Sequence, residues 1–124
     1  MWKPDDRRYV ASTWGWSSGL SSTTIDRVLD HPFTRVLVVE RDPEHILGWL
    51  AIAALPSIRL LHYLYVRREA RGVGVARKMI DAAWPANRSL AAPFIYTVPG
   101  PATKQLLARF SATRMHLDEA LAHR

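Results

Sequence analysis

Two features of this 124-residue sequence have the residue types and spacing to do chemistry. The first is Arg71-Gly72-Val73-Gly74-Val75-Ala76, a glycine-bearing turn between an apolar run and an amphipathic segment. A helix opening on such a turn presents free backbone N–H groups and the positive end of its dipole, which together bind a phosphate. Gly72 and Gly74 let the backbone approach an anion without a Cβ in the way, and small Ala76 keeps the first helical turn open. Other glycine-loop chemistries fit poorly. A nucleotide P-loop needs Lys-Ser/Thr after its last glycine, whereas Val75-Ala76 follow Gly74. A dinucleotide fingerprint needs Gly or Ala three residues after Gly74, where Arg77 stands. On spacing alone, an ordinary strand-to-helix turn fits equally well.

The second feature is His62 with the nearby hydroxyls Tyr63, Tyr65 and Tyr96. A neutral imidazole is a suitable general base near pH 7, its ordinary pKa being ~6.5. With the period of two of a strand, His62 shares a face with Leu64 and Val66, while Tyr63 and Tyr65 point the other way. Tyr96, on a later strand, is then the better placed hydroxyl for acid catalysis. The alternatives are a buried, hydrogen-bonded histidine without catalytic duty and a tyrosine that is simply core. Glu40 ends a strand and could line a cleft, or be solvated in a hairpin. His116, Asp118, Glu119 and His123 lack metal-ligand spacing and sit on a tail, so they are expected at the surface with no metal.

The elements that must position these groups are read as follows. Residues 8–14 read as an opening strand and residues 15–22 as a Ser/Gly-rich loop. Thr23 or Thr24 then caps a short helix with Ile25, Val28 and Leu29 on one face, ended by His31-Pro32. Residues 34–40 and 46–55 read as strands joined by a turn over 41–45, an antiparallel hairpin, and residues 60–66 as a third strand. The helix after the glycine turn carries the stripe Val75, Ala76, Met79, Ile80 and Ala83, closed by Trp84-Pro85. Residues 94–98 read as a strand and 102–110 as a helix; the tail reads either as an edge strand over 113–117 or as a helix over 118–123. A strand-helix-strand unit makes its strands parallel. Attached to a hairpin, it gives an α/β (α+β) domain over residues 1–124, a mixed sheet flanked by helices.

Composition sets the outer bounds. An apolar content of 48% with 23% charged residues is that of an ordinary globular domain, and 124 residues suffice for one core. There is no cysteine, which excludes disulfides, zinc thiolate sites and cysteine nucleophiles. No apolar run would span a bilayer and no signal peptide is visible, so a cytoplasmic protein without membrane association is expected. The net charge of +6 suits an anionic partner, nucleic acid included, but no dense Lys/Arg block or nucleic-acid motif accompanies it.

The run from the apolar strand Leu61-His62-Tyr63-Leu64-Tyr65-Val66 into Arg71-x-x-Gly74-x-Ala76 resembles the GNAT acetyltransferases, which carry Arg/Gln-x-x-Gly-x-Gly/Ala between their fourth strand and the next helix. The element order agrees with that family over residues 34–110. Residues 42–49 with 62–66 also look like small members associated with bacteriophage genomes. The resemblance implies a GNAT fold whose parallel strands splay around acetyl-CoA. It further implies that the amides of Arg71, Gly72, Val73, Gly74, Val75 and Ala76 hold the pyrophosphate, and that Leu64, Tyr65 and Val66 bond the pantetheine arm and the acetyl carbonyl. The implied activity is transfer of acetyl to a primary amine by direct attack, the acceptor being open. Such transfer needs a base for the amine, a donor for the oxyanion and a proton for the thiolate. Some members carry two histidines on this strand; His62 matches the second, and Leu60 stands where the first would be. The chain departs from the pattern at two further places. Gly100 stands at the usual Asn and Leu107 at the usual Tyr acid, which leaves Tyr96 as the substitute. The chain ends soon after that helix, so the last strands are expected to be shortened or supplied by a partner. The early residues Trp2, Trp14 and Trp16 are candidates for the border of the acceptor site or a homodimer interface, and equally for the core. The rival readings are a non-catalytic acyl-CoA-binding module and a basic protein that binds or acetylates nucleic acid.

Overall fold

The computed structural model describes residues 4–42, 45–55, 58–84, 94–100 and 112–122. The chain opens with helices α1 (Pro4–Ser18) and α2 (Ser22–Leu29), then strands β1 (Thr34–Asp42), β2 (His45–Ala53) and β3 (Arg59–Val66). A 3-10 turn (Arg68–Ala70) leads into α3 (Val75–Ala83), followed by β4 (Phe94–Tyr96), β5 (Ala112–Arg114) and α4 (Leu117–Leu121). The five strands form one sheet in the order β1-β2-β3-β4-β5. β1–β2 and β2–β3 are antiparallel, whereas β3–β4 and β4–β5 are parallel. This is the mixed sheet expected from the element order.

β2 and β3 read as nearly continuous apolar runs because the sheet is covered on both sides. One face carries Leu50, Ile52, Leu61, Leu64, Val66 and Phe94 against Val75, Met79 and Ile80 of α3. The opposite face carries Trp49, Ala51 and Tyr63 against Val10 and Trp14 of α1 and Ile25, Val28 and Leu29 of α2. The stripe expected on α3 is the one that packs, with Ala76 and Ala83 at its margin.

The opening strand is a correction. Residues 8–14, and the loop expected after them, form the single helix α1. Its signals are Pro4 at the first helical position, where the missing N–H is harmless, and Val10 and Trp14 four residues apart, both fully buried. The hydroxyls that suggested a loop bond back along the helix instead. Thr13 donates to the Tyr9 carbonyl at 2.8 Å, Ser17 to Thr13 at 2.6 Å and Ser18 to Trp14 at 2.6 Å. The α2 cap also moves: Ser21, extended at φ −69° and ψ 153°, accepts from the Thr24 N–H. The fourth strand stops at Tyr96 rather than residue 98. The tail holds both alternatives, each shifted: a strand over Ala112–Arg114 and a helix over Leu117–Leu121. The helix expected over residues 102–110 lies outside the described residues. No described helix is long and apolar enough to cross a membrane.

An aromatic cluster joins α1 to the sheet. Trp14 stacks on Tyr63 with centroids 5.4 Å apart and meets Trp49 at 5.5 Å. The two indoles differ in one respect. Trp49 Nε1 donates to Thr13 Oγ1 at 2.9 Å, while the sealed Trp14 Nε1 meets no acceptor among the described residues. Both rings are fully buried, so Trp→Phe removes similar volume at each. Only at Trp49 does it also break a hydrogen bond. Trp49→Phe should therefore be more destabilising than Trp14→Phe by about 1–3 kcal/mol in urea titrations. Equal losses would mean that the Trp14 N–H is satisfied in solution.

Candidate active site

The site is built where β3 ends. Ala51 of β2 pairs with Tyr63 and Ile52 with Leu61, so His62 is an extra residue, a β-bulge. Beside it, the carbonyls of both Leu61 and His62 accept from the other strand, from Thr97 N–H at 3.0 Å and Val98 N–H at 3.2 Å. The bulge corrects the expected alternation. Leu61 shares the α3-side cluster with Leu64 and Val66, and Tyr63 lies on the α1–α2 side, so a strict period of two does not run through His62. The β3–β4 ladder covers Arg59–Leu61 against Phe94–Tyr96. Past the bulge, residues 63–66 have no strand partner on that side among the described residues, and the parallel pair opens.

At the open end, the Val66 carbonyl accepts from Arg71 Nε at 2.9 Å, which fastens the glycine turn to the strand. Gly72 and Gly74 have φ of 83° and 85°, the left-handed region where a side chain is strained. A Cβ at either would meet nothing within 4 Å, so these glycines are required by backbone conformation and face open space. Gly74 caps α3 without a side-chain bond, and the first N–H to return into the helix is that of Lys78, to the Gly74 carbonyl at 3.0 Å. Although residues 71–74 form a turn, none of the six N–H groups of residues 72–77 makes a backbone hydrogen bond of good geometry among the described residues. They form a run of donors at a helix N-terminus, the arrangement that accommodates an anion.

His62 is 1% exposed. Its Nδ1 lies 3.0 Å from Thr97 Oγ1, and that hydroxyl donates to the His62 carbonyl at 3.3 Å. The donor in the Nδ1–Oγ1 bond depends on the ring tautomer; in the tautomer with the threonine proton on the carbonyl, Nδ1 carries the ring proton and Nε2 keeps its lone pair. Nε2 has no hydrogen bond among the described residues. Burial, and secondarily His31, lowers the imidazole from 6.5 to about 4. His31 itself, with Nδ1 accepting from Phe33 N–H, donates from Nε2 to the Leu121 carbonyl at 2.9 Å.

The hydroxyls divide between the two faces. Tyr96 is half-buried beside the α3-side cluster, its backbone paired with Leu61 and Arg114. Tyr63 is buried on the opposite face, its Oη 2.8 Å from Ser17 Oγ, and burial raises its pKa. Tyr65 stacks on Trp49 at 6.1 Å. Gly100 touches Tyr63 so closely that a Cβ would lie 2.9 Å from its ring, which accounts for glycine where the resemblance led one to expect Asn. Leu107 lies outside the described residues. Glu40 is exposed between two register shifts of the β1–β2 hairpin. On the tail, Asp118 is held by Arg27 and His116 caps α4, while His123 is outside the described residues.

Residues 3–97 match the acetyltransferase (GNAT) family. The chain belongs to the GNAT family. Membership makes acyl transfer its general chemistry. Among solved structures, it is similar to a ribosomal-protein-alanine N-acetyltransferase from Brucella melitensis biovar Abortus 2308. The identity is 19%, over 87% of this chain and 85% of that one, with a TM-score of 0.60, a likeness of fold. No curated protein matches the sequence.

Sequence reasoning missed three features near the candidate site. Thr97, the partner of His62, is remote in sequence and carries no motif. Tyr9 was hidden by the misread first helix; it packs in the cluster that holds Tyr63 and Tyr65, and burial raises the pKa of its hydroxyl. A cavity bounded by Leu20, Thr97, Val98, Arg114, His116 and Leu117 is assembled from three separate stretches.

Proposed function

We propose that this protein transfers an acetyl group from acetyl-CoA to a primary amine by direct attack. The observation that carries the reading is the run of unpaired amides over residues 72–77, fastened by Arg71 to the open end of β3. In this reading the amides of Gly72, Val73, Gly74, Val75 and Ala76 hold the pyrophosphate; the Arg71 amide, also expected there, is turned to the Arg68 carbonyl at 3.3 Å. The backbone of Leu64, Tyr65 and Val66, without a strand partner on the β4 side among the described residues, bonds the pantetheine arm and orients the thioester carbonyl. The bound donor supplies an activated acyl carbon; the C–N bond forms as the C–S bond breaks. His62 takes the amine proton at Nε2, positioned by the Thr97 hydroxyl on Nδ1. Tyr96 is the group assigned to return a proton to sulfur.

Acetyl-CoA at about 100 times its Kd should stabilise the fold by ~2.7 kcal/mol, raising Tm by roughly 5–10 °C. Gly74→Glu should abolish that shift, because it adds negative charge at the amide run and forces a side chain into the left-handed region. A wild-type protein with no shift would sink the reading. One observation favours a second reading, a non-catalytic acyl-CoA-binding module: Gly100 packs on Tyr63 and excludes a side chain there. Thiol release with a panel of amines separates the two.

A further inference from the structure

The cavity beside β4 has a volume of about 410 Å³ and lies past the carboxyl ends of the parallel strands β4 and β5. That is where open sheets with parallel strands bind ligands, and the size is that of a small-molecule site. Its apolar walls are Leu20 from the α1–α2 connection, Val98, and Leu117 of α4. Its polar groups are Arg114, His116 and Thr97, and no described lining residue is acidic.

Arg114 is the cationic group. Arg7, Arg27, Arg67 and Arg77 each hold a carboxylate. The Arg114 side chain has no ion pair or hydrogen bond among the described residues. Beside it, His116 Nδ1 accepts from Asp118 N–H at 3.2 Å, so the neutral ring presents its N–H from Nε2. The nearby Asp118 carboxylate is held by Arg27. Two donors on an apolar cavity wall, one cationic and unpaired, form a receptor for an anion. Thr97, also lining the cavity, is bonded to His62 and links that receptor to the group assigned to the amine.

We infer that this cavity is the acceptor subsite and selects amines that have an apolar body and an anionic group, which Arg114 and His116 bind. The inference rests on the acetyl-transfer reading and names its substrate class. A carboxylate and a phosphate share the required chemistry.

Calorimetric titration with two pairs of peptides tests it: leucyl-glutamate amide against leucyl-glutamine amide, and leucyl-phosphoserine amide against leucyl-serine amide. At least one acidic member should bind tenfold or more tightly than its neutral partner, and the pair that does so identifies the anion. Arg114→Gln, a change at an exposed residue, should erase the preference and leave the thermal response to acetyl-CoA intact. Equal or absent binding within both pairs, or a preference that survives Arg114→Gln, overturns the inference. Preferential binding without acetylation would keep the subsite and remove the acetyl-transfer reading. Acetylation without any acidic preference would do the reverse.

Discussion

His62→Gln should lower kcat at neutral pH by ~10²-fold, toward the lower end of the ~10²–10⁴-fold range for loss of a general base, with acetyl-CoA affinity nearly unchanged. The low end is expected because burial holds the imidazole at about 4. Such a base is unprotonated throughout the neutral range but is a weaker proton acceptor than an ordinary histidine. The acidic limb of the wild-type profile should accordingly centre near pH 4 rather than 6.5. Cofactor affinity is spared because the amides over residues 72–77 follow the end of β3, whereas His62, paired with Thr97, lies within the strand. Glutamine keeps a hydrogen bond to Thr97 but cannot take the proton. If the variant retains most of its activity and the same limb, His62 is structural, and the amine arrives neutral or through an ordered water.

The same burial should make the fold acid-sensitive. In the unfolded chain His62 titrates near 6.5, and in the folded chain near 4. Between these values the unfolded state holds more protons, so stability falls as pH falls. The contribution is fully present above about pH 6.5 and lost by about pH 4, amounting to about 3 kcal/mol at ~1.4 kcal/mol per pH unit. That is a large share of the ~5–15 kcal/mol that stabilises a typical domain. Urea midpoints measured from pH 7 to pH 4 should drop steeply in the wild type and flatten in His62→Gln. Parallel curves for the two proteins would show that the histidine is not the group responsible. Because this window overlaps the catalytic limb, rates should be normalised to the folded fraction measured at each pH.

The central half of the fold was legible in the sequence for a clear reason. β1, β2, β3 and α3 have strong periodic patterns bounded by Pro, Gly and charge, and local pattern and burial agree there. The glycine turn was legible because backbone conformation dictates residue type at Gly72 and Gly74. α1 was not, since Thr13, Ser17 and Ser18 favour loops by composition and only their bonds to preceding carbonyls reconcile them with a helix. The bulge was illegible for a different reason. An inserted residue changes the side-chain phase without changing residue type, and nothing in Leu61-His62-Tyr63 marks the step. Thr97, Arg114 and His116 acquire meaning only when strands distant in sequence lie side by side.

The bulge separates two kinds of change at position 62. Were residue 62 drawn into a regular ladder, the segment after it would turn over: Tyr63 and Tyr65 would face α3, and Leu64 and Val66 would face α1 and α2. Deleting the residue is the milder change, because Leu61 stays opposite Ile52 and Tyr63 opposite Ala51, with every later side chain on the face it already occupies. The sheet therefore does not need a residue at 62, and the identity of the one it carries is left free to set the chemistry.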